Sequence, residues 1–189
     1  VAVAGIPNIS IGETICDVGR VEAMDMIKIE EPTLSMNFSI NNSPFAGRSG
    51  KYLTTRHLKA RLEKELEVNV GLRVERIDEG DDFKVSGRGE LHLSILLENM
   101  RREGYEISVS KPKVLMHKED GQLMEPVERV IIDTPEEYSG TVISKLNQRK
   151  GIMQSMHSET DFVKLDYLVP TRSLIGFKSE FINDTRGEG

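Results

Sequence analysis

Alternating apolar and polar residues predict four β-strands in the first half of the chain. Residues 34–40, LSMNFSI, have an apolar residue at every second position, as expected of a strand with one buried face. The same alternation marks residues 70–75, 83–86 and 105–109. Each predicted strand therefore has one apolar and one polar face. The polar face of the predicted sheet carries Ser35, Asn37, Lys84 and Ser86.

Two amphipathic helices are predicted between these strands. Three leucines spaced four residues apart predict a helix over residues 54–67, with Thr54 or Thr55 as its N-cap. A second helix is predicted over residues 91–102 and ends at Gly104, because glycine favours the position after a helix. Both helices have to cover the same apolar face. The order βαββαβ therefore predicts an α+β fold of the ferredoxin-like type.

The same order of elements begins again further along the chain. Residues 127–133 are a predicted strand, and TPEE at residues 134–137 predicts a capping box with Thr134 as N-cap and Glu137 at N3. The helix that follows is predicted to end at Gly151.

Strands at residues 152–157 and 162–169 and a short helix from about Arg172 complete the second module. Its fourth strand is missing, so we predict two ferredoxin-like βαββαβ modules of which the second is truncated.

The first residues fit neither module, since glycine and proline divide them into short apolar runs typical of a β domain. We therefore predict the end of a β-barrel at residues 1–32, a ferredoxin-like module at residues 33–112 and a truncated one at residues 113–189. The polar residues 118–122 are taken as part of the joint between the modules. Because the chain has no initial Met and stops in a predicted loop, we expect an interior piece of a longer protein.

Composition limits the possible functions. The 189 residues have a net charge of −6 and contain one cysteine, which excludes an internal disulfide and a zinc site with several thiolates. No apolar run reaches the roughly 18 to 20 residues of a membrane span. The acidity is concentrated in residues 1–32, which hold 2 basic and 6 acidic side chains, so local basic clusters elsewhere remain available to phosphates.

The segment VSGRGELHLSI, residues 85–95, is the first candidate for chemistry. It contains only G-x-G, and the chain has no G-x-x-x-x-G-K-[ST], so neither a dinucleotide site nor a P-loop is predicted. The glycines instead indicate a strand that turns into a helix, with His92 in a structural or interfacial role. No His, Cys or Asp cluster has metal-ligand spacing, and no catalytic constellation is visible.

The loop NNSPFAGRSGKY, residues 41–52, is the second candidate. It is long for a loop within so small a module, and it contains Phe45, Arg48 and Lys51 but no acid. Long loops on rigid scaffolds tend to carry function. Base stacking on the sheet itself is disfavoured, since the polar face has no aromatic residue.

Several long stretches resemble one known family. VSGRGELHL, followed by a helix and YEISVSKPKV, resembles domain III of elongation factor G-type translational GTPases, and EPVERVIIDTPEEYSGTVISKLNQRKGIM resembles their domain V. NNSPFAGRSGKYLTTRHLKARLEKELE and VPTRSLIGFKSEFINDTRGEG are similar to the BipA/TypA family. VAVAGIPNISIGETI resembles the end of the domain II barrel, so the resemblance covers essentially the whole chain.

The resemblance implies a cytoplasmic GTPase that binds the ribosome and acts in stress adaptation and ribosome assembly. Its GTP and Mg²⁺ are expected in a G domain that this chain lacks, so we expect no catalytic residue, cofactor or metal here. The expected partners are rRNA and ribosomal proteins near the factor-binding centre, with neither membrane nor DNA. The candidate contacts are Arg48, Lys51, Arg56, Arg149, Lys150, Arg172 and Lys178.

Two alternatives stay open at this point. Paired ferredoxin-like modules can form a regulatory domain that senses a small molecule. An enzyme whose site assembles across the module interface is the other alternative.

Overall fold

The computed structural model describes residues 5, 9, 11–25, 31–77 and 80–189. The chain divides into two compact units, Val1–Pro112 and Lys113–Gly189. Much of the predicted barrel end, residues 1–32, lies outside the described residues, as do Asp78 and Glu79 between the predicted strands 70–75 and 83–86.

The described elements of the first unit are β1 (Leu34–Ile40), α1 (Thr55–Val68), β2 (Arg73–Arg76), β3 (Phe83–Gly87), α2 (Glu90–Glu103) and β4 (Ile107–Val109). The four strands form an antiparallel sheet in the order β2-β3-β1-β4. This order, with a helix after β1 and another after β3, confirms the ferredoxin-like fold.

One face of this sheet and both helices form the core of the first unit. The fully buried side chains come from alternate positions of β1 and β3 and from the inner faces of α1 and α2. They include Leu34, Phe38, Val85, Leu58, Leu62, Leu93, Leu96 and Met100. The predicted polar face is less open than its composition suggests, since the paired residues Ser35 and Ser86 are only 6% and 4% exposed.

Two strands begin later in the structure than their alternation predicts. In each case the end of the preceding helix takes up the first residues of the predicted strand. After α1, Leu72 donates its backbone N–H to the Asn69 carbonyl, so a turn takes up residues 70–72. After α2, Gly104 adopts a left-handed φ of 98° and Tyr105 N–H bonds the Met100 carbonyl. Gly104 thus ends α2 as predicted, and β4 starts only at residue 107.

The second unit repeats the topology without the fourth strand. Its elements are β5 (Lys113–Val114), β6 (His117–Glu119), β7 (Gln122–Met124), β8 (Val127–Pro135), α3 (Glu136–Gln148), β9 (Ile152–Ser158), β10 (Phe162–Pro170), α4 (Thr171–Leu174) and α5 (Phe177–Asp184). The main sheet has the antiparallel order β8-β10-β9, which corresponds to β1-β3-β2 of the first unit. The polar residues 118–122, taken as a joint, instead form part of the β6–β7 hairpin, which turns at Asp120 and Gly121 with positive φ.

The predicted inward positions of β10 are all fully buried. They pack with β8, α3 and α5 in one cluster that contains Ile132, Val142, Leu146, Val163, Leu165, Tyr167, Val169 and Phe177. The sheet and its helices therefore bury a separate core in each unit.

The predicted capping box of α3 is wrong. Thr134 pairs with Val163 inside the sheet and is fully buried, so its backbone is held extended in β8. Its hydroxyl has no hydrogen-bond partner among the described residues. The helix begins at Glu136, whose N–H donates to the Asp161 carbonyl at 3.1 Å, and no side chain caps it.

The end of α3 depends on Lys150 rather than on Gly151 alone. Lys150 has a left-handed φ of 63° and donates its N–H to Asn147, while Gly151 N–H bonds the Leu146 carbonyl at 2.8 Å. This is the Schellman pattern, with lysine where glycine is usual. Gly151 has a different role, because a Cβ there would lie 2.9 Å from the Leu146 oxygen and 3.0 Å from the Tyr167 ring.

We expect Lys150→Gly to raise the free energy of unfolding of the second unit by about 1 kcal/mol, since glycine adopts the left-handed conformation without the Cβ clash. Urea unfolding followed by circular dichroism would measure the change. Lys150→Ala is the matched control, because it removes the same charge but keeps the Cβ. A gain in both variants would attribute the effect to charge and contradict the conformational explanation.

Candidate nucleic-acid interface

The loop that joins β1 to α1, residues 41–54, is held by the carboxylate of Glu106. One oxygen of this carboxylate accepts the backbone N–H groups of Ser49 and Gly50, at 2.5 and 2.6 Å. The other accepts the Gly47 N–H at 2.9 Å and the side-chain amide of Asn41 at 3.0 Å. Four donors on one carboxylate fix the loop to the residue before β4.

The topology of the sheet brings Glu106 to this loop. β1 and β4 are antiparallel neighbours, and Ile40 at the end of β1 pairs with Ile107 at the start of β4. The Asn41 N–H then donates to the Glu106 carbonyl at 3.1 Å. The residue that precedes β4 therefore lies beside the residue that follows β1.

Sequence reasoning missed Glu106, which it counted only as a polar position of a strand. The sequence signal for such a carboxylate was in the loop itself, since residues 41–52 contain two cations and no acid of their own. In the structure the backbone N–H groups of Gly47 and Ser49 stabilise the charged carboxylate and lower the pKa of Glu106 to about 2.

The tip of the loop carries Phe45 and Arg48, which stack on each other. Phe45 is 61% exposed, and the guanidinium carbon of Arg48 lies 4.7 Å from the centroid of its ring. The Lys51 ammonium lies 5.0 Å from the centroid of the Tyr52 ring, which packs on Tyr105 at a centroid distance of 4.6 Å. Both cations of the loop are thus placed beside aromatic rings.

Arg56 lies in the first turn of α1 and is exposed. Thr54 is the N-cap, since its hydroxyl accepts the His57 N–H at 3.3 Å. The first turn has no acidic residue, so the positive end of the helix dipole and Arg56 lie together. Among the residues that the structure describes, no carboxylate forms an ion pair with Arg56 or with the loop cations Arg48 and Lys51.

Arg149 has a structural role within the second unit. Its guanidinium donates to the backbone carbonyls of Ser173 and Ile175, and it forms a 2.7 Å ion pair with Glu180. It also lies 5.4 Å from the centroid of the Phe177 ring. Arg149 thus ties the end of α3 to α4 and α5, which disfavours the interpretation of this residue as a partner contact.

The other three candidates of the second unit are exposed. Lys150 and Lys178 form no ion pair with any residue in the described ranges. Arg172 is paired with Glu125 through two hydrogen bonds of 2.6 and 3.2 Å, and the pKa of Glu125 is lowered as a result. A phosphate at Arg172 would therefore have to displace a carboxylate that is held by two hydrogen bonds.

The segment after β3 is a strand-to-helix turn, as the sequence predicted, and His92 closes it. His92 Nδ1 accepts the Arg88 N–H at 3.2 Å, while Nε2 lies 3.1 Å from the Asn69 side-chain oxygen. Burial, and then the charge of Arg88, lower the pKa of His92 and favour its neutral form. A Cβ at Gly87 would lie 2.9 Å from the Leu93 side chain, so glycine permits this close turn.

The described residues contain neither a group of metal ligands nor a membrane-spanning helix. Within these ranges no three His, Cys, Asp or Glu side chains are grouped closely enough to bind a metal ion. None of the described helices combines the length and the apolar character needed to cross a membrane.

The depressed pKa of Glu106 has a measurable consequence. A carboxylate with a folded pKa of about 2, below its ordinary value of 4.5, stabilises the fold fully above pH 4.5 and loses that contribution as the pH falls towards 2. We expect Glu106→Gln to be less stable than the parent chain at pH 7, with the difference shrinking below pH 4.5. In the parent chain, the amide proton shifts of Gly47, Ser49 and Gly50 in NMR spectra should titrate with a midpoint of about 2.

The control for this titration is Glu98→Gln. The pKa of Glu98 is also lowered to about 2, by Arg101 and Arg102, but none of its hydrogen bonds involves the loop. This variant should leave the three loop amides unchanged. A titration midpoint of the loop amides near 4.5 would contradict the structural role of Glu106.

Comparison with protein families adds an independent line of information. The family model for the elongation factor G C-terminus matches residues 122–189, which make up most of the second unit. A crystal structure of a Thermus thermophilus protein matches 86% of this chain and 40% of that protein with a TM-score of 0.51. At 15% identity, this likeness concerns the fold alone.

Curated relatives match the chain over its full length. The proteins named large ribosomal subunit assembly factor BipA from Escherichia coli K12 and Bacillus subtilis 168 are 49% and 52% identical over 190 aligned residues. The alignments cover 100% of this chain but only 31% of each relative, so the chain spans about a third of their length. Across its whole length, therefore, the chain is homologous to one segment of the BipA proteins.

Proposed function

We propose that this chain is the ribosome-docking portion of a BipA/TypA-type translational GTPase that acts in assembly of the large ribosomal subunit and in stress adaptation. The observation that carries the proposal is a set of exposed cations on ordered elements, in a chain that is homologous to BipA throughout. The cations are Arg48, Lys51, Arg56, Lys150 and Lys178.

These five residues suit phosphate contacts. The chain as a whole is acidic, at −6, yet these cations form no ion pair with the described carboxylates. An unpaired surface cation keeps its full attraction for a phosphate, whereas a paired one first has to leave its partner. We include Arg172 in this set, on the proposal that a phosphate replaces Glu125 as its partner. Arg149 is not included, because it has a structural role.

The chemistry of the parent protein is proposed to lie outside these residues. This part of the proposal is based on the sequence, since the 189 residues contain no P-loop motif that could hold the phosphates of GTP. The chain therefore contributes shape and charge in the cytoplasm, where its partners would be rRNA and ribosomal proteins near the factor-binding centre.

The test is co-sedimentation of the chain with purified ribosomes across a salt series, with elongation factor G as competitor. We expect salt-sensitive binding that the competitor reduces. In the variant Arg48→Gln, Lys51→Gln, Arg56→Gln, binding should weaken, and the slope of log affinity against log salt should fall by roughly 0.7 to 0.9 for each lost phosphate contact.

Lys59→Gln is the matched control, because Lys59 lies on the same helix but pairs with Glu63 at 3.6 Å. It should leave both affinity and slope nearly unchanged. Equal binding by the triple variant and the parent chain would remove the first unit from the proposed interface.

A further inference from the structure

We propose that the Phe45–Arg48 pair is a binding site for an unstacked nucleobase of RNA. This inference rests on the proposed function and adds to it a second kind of contact, to a base rather than to phosphate. The site lies on the tip of the loop between β1 and α1, and Glu106 acts as its positioning residue.

The pair presents flat surfaces to solvent. Phe45 is 61% exposed although it is a large apolar side chain, and the exposed guanidinium of Arg48 lies 4.7 Å from the centroid of its ring. Since both side chains remain exposed although they contact each other, the pair keeps surface that a base could cover. Bases stack on both aromatic rings and arginine planes.

Hydrogen bonds within the loop fix its backbone. The Phe45 N–H donates to the Ser43 hydroxyl at 3.3 Å, and the Ala46 N–H donates to the Ser43 carbonyl at 3.0 Å. The Ser43 N–H in turn donates to the Asn41 side chain at 3.0 Å. With Glu106 holding the other half of the loop, little conformational entropy is left to lose on binding, and this favours affinity.

The charges around the pair favour RNA over an apolar pocket of a protein. Such a pocket would accept Phe45 but would bury the guanidinium stacked on it, and an unpaired buried charge is costly. A nucleotide instead offers a base for stacking and a phosphate for the cations. Arg48 and Lys51 both lie in this loop, and neither has an ion-pair partner in the described ranges.

The absence of tryptophan from the chain provides a direct probe. In Phe45→Trp the indole is the only tryptophan and keeps an aromatic face at the same position. We would titrate this variant with an oligoadenylate of about ten nucleotides and with an abasic ribose-phosphate strand of equal length. Thermal unfolding would confirm that the variant keeps the parent fold.

We expect the oligoadenylate to quench the tryptophan fluorescence and to bind roughly 5- to 150-fold more tightly than the abasic strand, the range for stacking of one base. Adding Glu106→Gln to Phe45→Trp should reduce this ratio of affinities, since the loop then loses the carboxylate that fixes its backbone. Equal affinity for the two strands, or no quenching by either, would overturn the inference.

Ribosome co-sedimentation separates this inference from the proposed function. Phe45→Leu keeps an apolar side chain without a ring, and Arg48→Lys keeps the charge without a plane, so both should weaken binding. Arg102→Lys, at an exposed arginine of α2 that is not among the proposed contacts, is the control and should bind as the parent chain does. If the parent chain binds ribosomes and both loop variants bind as tightly as the parent chain, base stacking by the loop is excluded but the proposed docking function is retained.

Two other outcomes are also decisive. Loss of ribosome binding in Phe45→Leu, without discrimination between the two strands, would assign the loop to a ribosomal protein and overturn the RNA site. No binding of the parent chain to ribosomes, together with base-dependent quenching, would reject the docking function and leave an RNA site in the chain.

Discussion

Each of the two main sheets has one apolar face, and helices have to cover that face from the same side. In the first unit this requirement leads the chain from β1 through α1 to β2, and from β3 through α2 to β4. The antiparallel order then places the end of β1 next to the start of β4, as the pairing of Ile40 with Ile107 shows. Glu106 can hold a loop some 60 residues away in sequence only because of this adjacency.

The two units use one topology with very different connections at the same point. In the second unit β8 ends at Pro135 and α3 begins at Glu136, with no residue between them. In the first unit the equivalent connection is the whole of residues 41–54. The second unit thus makes this strand-to-helix connection without a loop, so the connection itself does not require the length of the loop that carries Phe45 and Arg48. A segment that a fold does not require is available for binding.

Local patterns predicted the elements well but not their ends. Periodicity of two and of nearly four located the strands and helices because burial of one face imposes those periods. The ends of an element depend on backbone hydrogen bonds for which the neighbouring elements compete. Thr134 has the chemistry of an N-cap, yet its pairing with Val163 keeps it in the strand. Tyr105 alternates like a strand residue, yet its N–H is used to close α2.

The candidate site was only partly predictable for the same reason. Exposure of Arg48 and Lys51 follows from their position in a polar loop, but the carboxylate that orders this loop is distant in sequence. Neighbouring residues can also differ completely in role. Arg149 is held by three oxygen acceptors of its own unit, whereas the next residue, Lys150, is free of ion pairs with described residues.

The arrangement around Glu106 has one further consequence, for the source of any affinity that the loop has for RNA. Successive N–H groups that converge on one point form a nest, which in many proteins is itself the phosphate site. Here the nest already holds an anion supplied by the chain, so a phosphate from outside finds it occupied. The N–H groups of Gly47, Ser49 and Gly50 are therefore not available to an external phosphate, which has to be bound by other groups such as the cationic side chains. Inorganic phosphate or sulfate in a buffer would compete with RNA for the cations but would leave the backbone of the loop in place.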